Sequence, residues 1–73
     1  MDDSSVKKTI KEISISMEKK GYDPVNQIVG YIISNDLGYI PDFDDNRNKI
    51  SEIDRTVLVE NMLKDYLRWD IWD

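Results

Sequence analysis

The chain has 73 residues, a net charge of −5, no cysteine and no histidine. A chain of this length forms at most one domain, here placed at residues 1–73, and buries only about 60% of its unfolded surface. Small domains usually add disulfides, a metal or a second subunit. Because the composition excludes disulfides and the usual zinc sites, we expect a homodimer.

The acidic balance also bears on partners and location. Negative charge disfavours binding to nucleic acid and to anionic membranes. No apolar run reaches membrane-spanning length, and residues 1–20 lack the apolar centre of a signal peptide. We therefore expect a cytoplasmic protein without membrane insertion. Since the chain offers no activated nucleophile and no phosphate-binding loop, we predict no enzyme, cofactor or metal site.

A first helix is predicted over residues 4–20. Its apolar residues recur at intervals of four, three and four positions, which places them on one face. These residues are Val6, Ile10, Ile13 and Met17. Ile15 falls on the opposite face and is expected to be exposed. Ser4 or Ser5 is expected to cap the helix, and residues 1–5 are expected to be flexible.

A second helix is predicted over residues 24–34. Gly21 suits the end of the first helix, Asp23 suits an N-cap and Pro24 the first helical position. Gly30 lies inside this helix, where it indicates close packing against another element. The apolar arc of the helix consists of Val25, Ile28, Val29, Ile32 and Ile33.

The amides of Asn26 and Gln27 are the most informative polar pair. One of them could bind a partner or bridge two subunits. We favour a structural role, in which an amide binds carbonyl groups of the following loop between Gly38 and Pro41, because buried amides need partners. That loop, residues 35–44, is unusually apolar and should be held against the core.

A short third helix is predicted over residues 45–53, with Asp44 or Asp45 as cap and with Ile50 and Ile53 facing inward. The segment that begins at Asp42 resembles a calcium loop only superficially. Its sixth position holds Arg47 instead of glycine and its twelfth holds Ile53 instead of glutamate. A helix cap with solvated carboxylates is the better interpretation.

A last helix is predicted over residues 55–68, capped by Asp54. Its apolar residues cover about half of the circumference, which is wider than the usual stripe of a surface helix. They are Leu58, Val59, Met62, Leu63, Tyr66, Leu67 and Trp69. Such a helix needs neighbours on two sides, which favours a subunit interface. Trp69 and Trp72 either pack back as anchors or form an exposed apolar end.

Arg47 lies early in its helix, where its charge opposes the helix dipole. It should therefore have an acidic partner, and Asp36, Asp44 and Asp45 are the candidates. Phosphate binding by Arg47 is the alternative.

Several short motifs occur in a fixed order between about Gly21 and Leu67. The residues that compose them are Gly21, Tyr22, Pro24, Asn26, Gln27, Gly30, Tyr31, Tyr39, Pro41, Arg47 and Asn48. In this order and spacing the segment resembles the IreB family of small regulatory phosphoproteins of Gram-positive bacteria. Asp42 departs from the family pattern, in which a basic residue usually follows the proline.

The resemblance implies a non-enzymatic, cytoplasmic, helical homodimer that functions in cell-wall stress signalling and antibiotic tolerance. It implies a transmembrane Ser/Thr kinase and its phosphatase as partners. Phosphorylation in the family falls on threonine in a longer N-terminal segment, and the candidate hydroxyls here are those of Ser4, Ser5 and Thr9. The interface candidates are Ile28, Ile32, Leu58, Met62, Tyr66 and Trp69.

Three alternatives stay open. One is a nucleic-acid-binding helical module, which the charge disfavours. Another is a small carboxylate enzyme or metal-binding protein. The third is a divergent dimeric scaffold that no longer accepts phosphate.

Overall fold

The computed structural model describes residues 3–67, and these form helices, turns and loops without any strand. The all-α prediction is therefore confirmed for this part of the chain. Four α-helices and one 3₁₀ turn follow each other along the sequence. They are α1 (Asp3–Lys19), α2 (Pro24–Ser34), the 3₁₀ turn (Leu37–Tyr39), α3 (Asn46–Ser51) and α4 (Arg55–Leu67).

Helix α1 begins earlier than the sequence predicted. Ser4 and Ser5 lie inside its first turn instead of capping it, and residues 3–5, which we expected to be flexible, are helical. The physical reason is tertiary, since Val6 is buried beside Ile53 and Leu58 and this packing holds the first turn.

The end of α1 follows the glycine signal. Gly21 adopts φ +86°, and the N–H groups of Gly21 and Tyr22 donate to Glu18 O and Met17 O, both at 3.0 Å. This pair of bonds is the Schellman arrangement that ends many helices. The helix ends at Lys19, one residue before the predicted position.

Helix α2 has the predicted bounds. The Asp23 carboxylate accepts hydrogen bonds from the N–H groups of Val25 and Asn26, at 3.0 and 3.3 Å, and Pro24 occupies the first turn. The predicted N-cap is confirmed. The C-cap is Asn35, whose φ of 58° is left-handed and whose N–H donates to Tyr31 O at 2.7 Å.

Helix α3 differs from its prediction. It is shorter than residues 45–53. Its N-cap residue is Asp45, one of the two predicted alternatives, but the φ of Asp45 is 60° and its side chain accepts no capping hydrogen bond. The Asp44 carboxylate accepts a hydrogen bond from Ser16 Oγ of α1 at 2.7 Å instead. Ile50 and Ile53 face inward as predicted.

Helix α4 begins where predicted. Asp54 Oδ1 accepts from the N–H groups of Thr56 and Val57, at 2.8 and 3.4 Å, which confirms this cap. Trp69 and Trp72 lie outside the described residues.

Two clusters of buried side chains form the core. One joins α1, α2 and α3, and the other joins the start of α1 to the start of α4. Ile10 and Ile32 pack against both clusters and connect them. The predicted inner face of α1 is confirmed, with Ile10 half-buried, and Ile15 is exposed as expected. The larger cluster consists of Ile13, Met17, Ile28, Tyr31, Ile40 and Ile50, and the smaller of Val6, Ile53 and Leu58.

Candidate interaction surface

Helix α2 has an apolar face that stays largely exposed within residues 3–67. Val25, Val29 and Ile33 follow each other at intervals of four residues, which places them on one side of the helix. Val25 is 70% exposed and Ile33 is 79% exposed. Isolated exposed apolar residues are normal, but a continuous stripe of them on one helix indicates a surface for association.

Helix α4 presents a second apolar face beside the first. Leu58 is its only buried side chain among the described residues. Val59, Met62 and Leu63 are exposed, and Tyr66 is 83% exposed. The wide apolar arc predicted from the sequence is therefore present, and most of it faces away from the core of its own chain.

The two faces meet in an apolar groove with a volume of about 430 Å³. The guanidinium of Arg55 fixes the relation between its walls, because Nη1 at the start of α4 donates to Ile32 O near the end of α2 at 2.7 Å. We refer to this cleft as the α2–α4 groove. Its lining residues are Val29, Ile32, Ile33, Val59, Met62, Leu63 and Tyr66.

The predicted interface residues divide into three groups. Ile32, Met62 and Tyr66 line the α2–α4 groove. Ile28 and Leu58 are only 6% and 1% exposed and belong to the core, which corrects their assignment to a subunit interface. Periodicity places a residue on an apolar arc but does not tell which half of a wide arc the chain covers itself. Trp69 lies outside the described residues.

The amide pair on α2 supports the loop that follows the helix. Gln27 Nε2 donates to Tyr39 O at 2.8 Å, which confirms that one amide binds a carbonyl between Gly38 and Pro41. Asn26 has a different role, since its Nδ2 donates to Asp23 Oδ2 at 3.0 Å and extends the helix cap.

Gly30 lies directly under the ring of Tyr39. A Cβ atom at position 30 would stand only 2.5 Å from Cε1 of that ring. The predicted close packing is therefore confirmed, and the element that approaches is the 3₁₀ turn. Tyr31, the next residue of the motif, is buried in the core.

Arg47 supports the other end of the same loop. Its Nε donates to Ile40 O at 2.8 Å, and Nη1 lies 3.6 Å from Asp42 Oδ2. The acidic partner that we expected exists, but it is Asp42 and none of the three predicted.

The predicted carboxylates bind other donors. Asp36 Oδ1 accepts from Gly38 N, Asp44 Oδ2 from Ser16 Oγ, and Asp45 Oδ1 from Asn48 Nδ2, at 2.8, 2.7 and 2.8 Å. Arg47 and Asn48 of the motif thus stabilise the loop between α2 and α3 by binding its carbonyl and carboxylate groups.

Asn46 is a buried polar residue that sequence reasoning missed. Its Nδ2 donates to Ser16 Oγ at 3.0 Å, while its Oδ1 is buried without a hydrogen-bond partner. Sequence reasoning assigned Asn46 no role beyond its place in the calcium-like segment that begins at Asp42. The available signal was its place four residues before Ile50, which puts both on one face of α3.

The candidate phosphate acceptors lie on the first half of α1. Ser4 and Ser5 are exposed and Thr9 is half-buried. On the same stretch of helix, Lys7 Nζ lies 3.3 Å from Asp65 Oδ1 of α4, so this half of α1 contacts the helix that forms one wall of the groove.

Metal sites and membrane-spanning helices are both absent from residues 3–67. No group of three or more carboxylate, histidine or cysteine side chains there could hold a metal ion. None of the helices in this range combines the length and the hydropathy that crossing a bilayer requires.

A comparison with protein families gives one finding. The model of the family described as IreB regulatory phosphoprotein matches residues 1–68. This match includes the first 20 residues, which the sequence resemblance left out. The chain belongs to this family.

Proposed function

We propose that this IreB-family member is a non-enzymatic regulatory protein that acts as a homodimer through its α2–α4 groove. The exposed apolar lining of that groove is the observation on which the proposal depends. Burial of such a surface is the main favourable contribution to association. A second copy supplies a matching surface, because a two-fold interface uses the same patch on both subunits.

Sedimentation equilibrium of two matched variants tests the dimer. Leu63→Glu places a charge in the groove, whereas Ile15→Glu places one on an exposed position of α1 that does not line the groove. The two side chains are 53% and 56% exposed, so both variants should fold. We expect Leu63→Glu to raise the Kd of the dimer by about 100-fold, because an unpaired charge in an apolar interface costs several kcal/mol. Ile15→Glu should leave the Kd unchanged.

A folded wild-type chain that stays monomeric across micromolar concentrations would refute the dimer. Equal effects of the two glutamates would move the interface away from the groove. Circular dichroism of each variant checks that the helices have formed.

The regulatory part of the proposal is a place in a cytoplasmic, kinase-linked response to cell-wall stress. The family description as a regulatory phosphoprotein supports it. A transmembrane Ser/Thr kinase and its phosphatase would add and remove phosphate at the start of α1. A phosphate there is close to a helix N-terminus, where negative charge is favourable.

Mass spectrometry after incubation with the cytosolic domain of the wall-sensing Ser/Thr kinase from the same genome tests this part. We expect phosphate on Ser4 or Ser5 and little on Thr9, because Thr9 is half-buried within the helix. A variant with all three hydroxyl residues changed to alanine is the control. An active kinase that leaves the folded chain unmodified would contradict the kinase link and favour a dimeric scaffold that no longer accepts phosphate.

A further inference from the structure

An ion pair joins the first turns of α1 to the far half of α4. Lys7 Nζ lies 3.3 Å from Asp65 Oδ1, and the two side chains are 56% and 69% exposed. Leu58, the buried side chain of α4 among the described residues, lies near the start of that helix, whereas Asp65 lies about two turns later. The ion pair therefore holds a part of α4 that burial holds less.

The same half of α4 forms a wall of the α2–α4 groove. Met62, Leu63 and Tyr66 line the groove, and Asp65 directly precedes Tyr66 in the sequence. A helical turn moves as a unit, so the position of the Asp65 carboxylate bears on the side chains that line the groove. A group that competes with Asp65 for Lys7 would therefore act on this wall.

Ser4 is placed to compete for Lys7 once it carries phosphate. Ser4 is exposed, and it lies three residues before Lys7 and four before Lys8, the spacings at which side chains of one helix meet. Transfer of the γ-phosphoryl group of ATP forms a P–O bond at Ser4 Oγ and breaks the bond between that phosphorus and the oxygen that leaves with ADP. The hydroxyl proton passes to a base of the kinase. The product carries a charge of about −1.5 to −2 and three acceptor oxygens, more than the single charge of Asp65.

We propose that phosphate on Ser4 draws Lys7 away from Asp65 and so loosens the α4 wall of the α2–α4 groove, which weakens the homodimer. This inference rests on the proposed function, both for the dimer and for phosphorylation at the start of α1. It adds which hydroxyl regulates the dimer, and it assigns Lys7 as the positioning residue through which the phosphate acts.

Chemical synthesis of the full chain with phosphate on Ser4 tests the inference without a kinase. Sedimentation equilibrium compares it with the unmodified chain and with a chain that carries phosphate on Ser5. Ser5 is the matched control, because it lies two residues before Lys7 and so on a different side of α1. We expect phosphate on Ser4 to raise the dimer Kd about two- to fivefold, the range that an exposed ion pair can supply, and phosphate on Ser5 to leave it unchanged.

A double-mutant cycle identifies Lys7 as the link. Lys7→Gln should raise the Kd about two- to fivefold without any phosphate, because it also removes the pair with Asp65. Phosphate on Ser4 should then change the Kd by less than about twofold, since the two changes remove the same contact.

Hydrogen exchange gives a readout that does not need the dimer. In the Leu63→Glu background, phosphate on Ser4 should speed the exchange of the backbone amides of residues 61–67 about two- to fivefold. The amides of α2, which the ion pair does not touch, should exchange at an unchanged rate.

The outcomes separate this inference from the proposed function. A dimer whose Kd does not respond to phosphate on Ser4, or responds equally when residue 7 is glutamine, overturns the inference and leaves the dimer in place. Equal effects of phosphate on Ser4 and on Ser5 overturn it too, because added negative charge alone would then be the cause. A chain that stays monomeric refutes the proposed dimer, and unchanged exchange in α4 would then also refute the coupling of Ser4 to α4.

Discussion

The contact between Gly30 and Tyr39 predicts that Gly30→Ala destabilises the protein when residue 39 is tyrosine and stabilises it when residue 39 is alanine. Alanine is more favourable than glycine inside a helix by about 1 kcal/mol, so Gly30→Ala should stabilise α2 if nothing else changed. The added Cβ would stand 2.5 Å from Tyr39 Cε1, whereas carbon atoms in contact normally lie about 3.5–4.0 Å apart. The ring must therefore move by about 1 Å.

The ring is not free to make this movement at no cost. Gln27 binds the carbonyl of the same residue at 2.8 Å, and Ile40, the next residue, is fully buried. Overpacking of this kind costs roughly 1–3 kcal/mol. After subtraction of the helix term, we expect Gly30→Ala to destabilise the protein by about 1 kcal/mol. In a Tyr39→Ala background the obstacle is absent, and Gly30→Ala should then stabilise by about 1 kcal/mol.

Urea unfolding of the four proteins of this double-mutant cycle, followed by circular dichroism, measures both values. All four are compared at one protein concentration, because the proposed dimer would add to apparent stability. A second cycle in the Leu63→Glu background removes that contribution. If Gly30→Ala stabilises the protein equally whether residue 39 is tyrosine or alanine, the close contact is not a constraint and the reasoning fails.

Two further predictions concern polar groups at helix starts, and the same unfolding assay measures them. Asn46→Ala should change the free energy of unfolding by less than about 1 kcal/mol, because loss of the hydrogen bond to Ser16 is offset by removal of a buried carbonyl oxygen that has no partner. A loss of several kcal/mol would mean that Asn46 Oδ1 has a partner. Asn46→Asp, with nearly the same shape, should cost about 3 kcal/mol or more, because it buries a charge close to Asp44. Asp54→Ala should lower the free energy of unfolding by about 1 kcal/mol through loss of the α4 cap, and a neutral effect would contradict the assigned cap. Asp36→Ala, at the start of the 3₁₀ turn, tests whether the cap of so short an element contributes as much.

The features that the sequence predicted correctly are those set by near neighbours. The cap of α2 requires only Asp23, Pro24 and the next two N–H groups, and the end of α1 requires only the positive φ of Gly21. Such signals stay readable because their hydrogen bonds close within a few residues.

The wrong predictions concern side chains whose partners are set by contacts that are distant in the sequence. Asp44 was one of two candidates for the cap of α3, but Ser16, 28 residues away, donates to its carboxylate. Arg47 was assigned three possible acidic partners and binds a fourth, Asp42. The reason is the loop conformation, in which two successive left-handed residues, Asp44 and Asp45, determine where each carboxylate lies. Left-handed backbone at two adjacent non-glycine residues is uncommon, and the local sequence does not predict it.

The candidate surface was predicted in kind, but its membership was wrong in part. The sequence indicated that α4 is too apolar for one neighbour, and its exposed residues agree with that. Assignment of Leu58 to the interface failed because the start of α1 covers it. That contact joins the first residues of the chain to residues near its other end, which no periodicity reveals.

The motif residues of α2 do not form its exposed surface, and the geometry of the helix explains why. At about 100° per residue, its side chains fall into three sectors. Ile28 and Tyr31 face the core, while Gln27 and Gly30 face the 3₁₀ turn. The remaining sector holds Val25, Val29 and Ile33, which are exposed.

Two sectors of α2 thus fix the helix within the fold, while the side chains of the third stay exposed. Ser34 reinforces the second sector, because its Oγ donates to Gly30 O at 2.7 Å and accepts from Asp36 N at 3.1 Å. Substitutions at Gln27 or Gly30 touch no groove-lining side chain, yet they would tilt the helix that forms one wall. We therefore expect them to weaken self-association indirectly, through the position of α2, and to do so less than a charge placed in the groove.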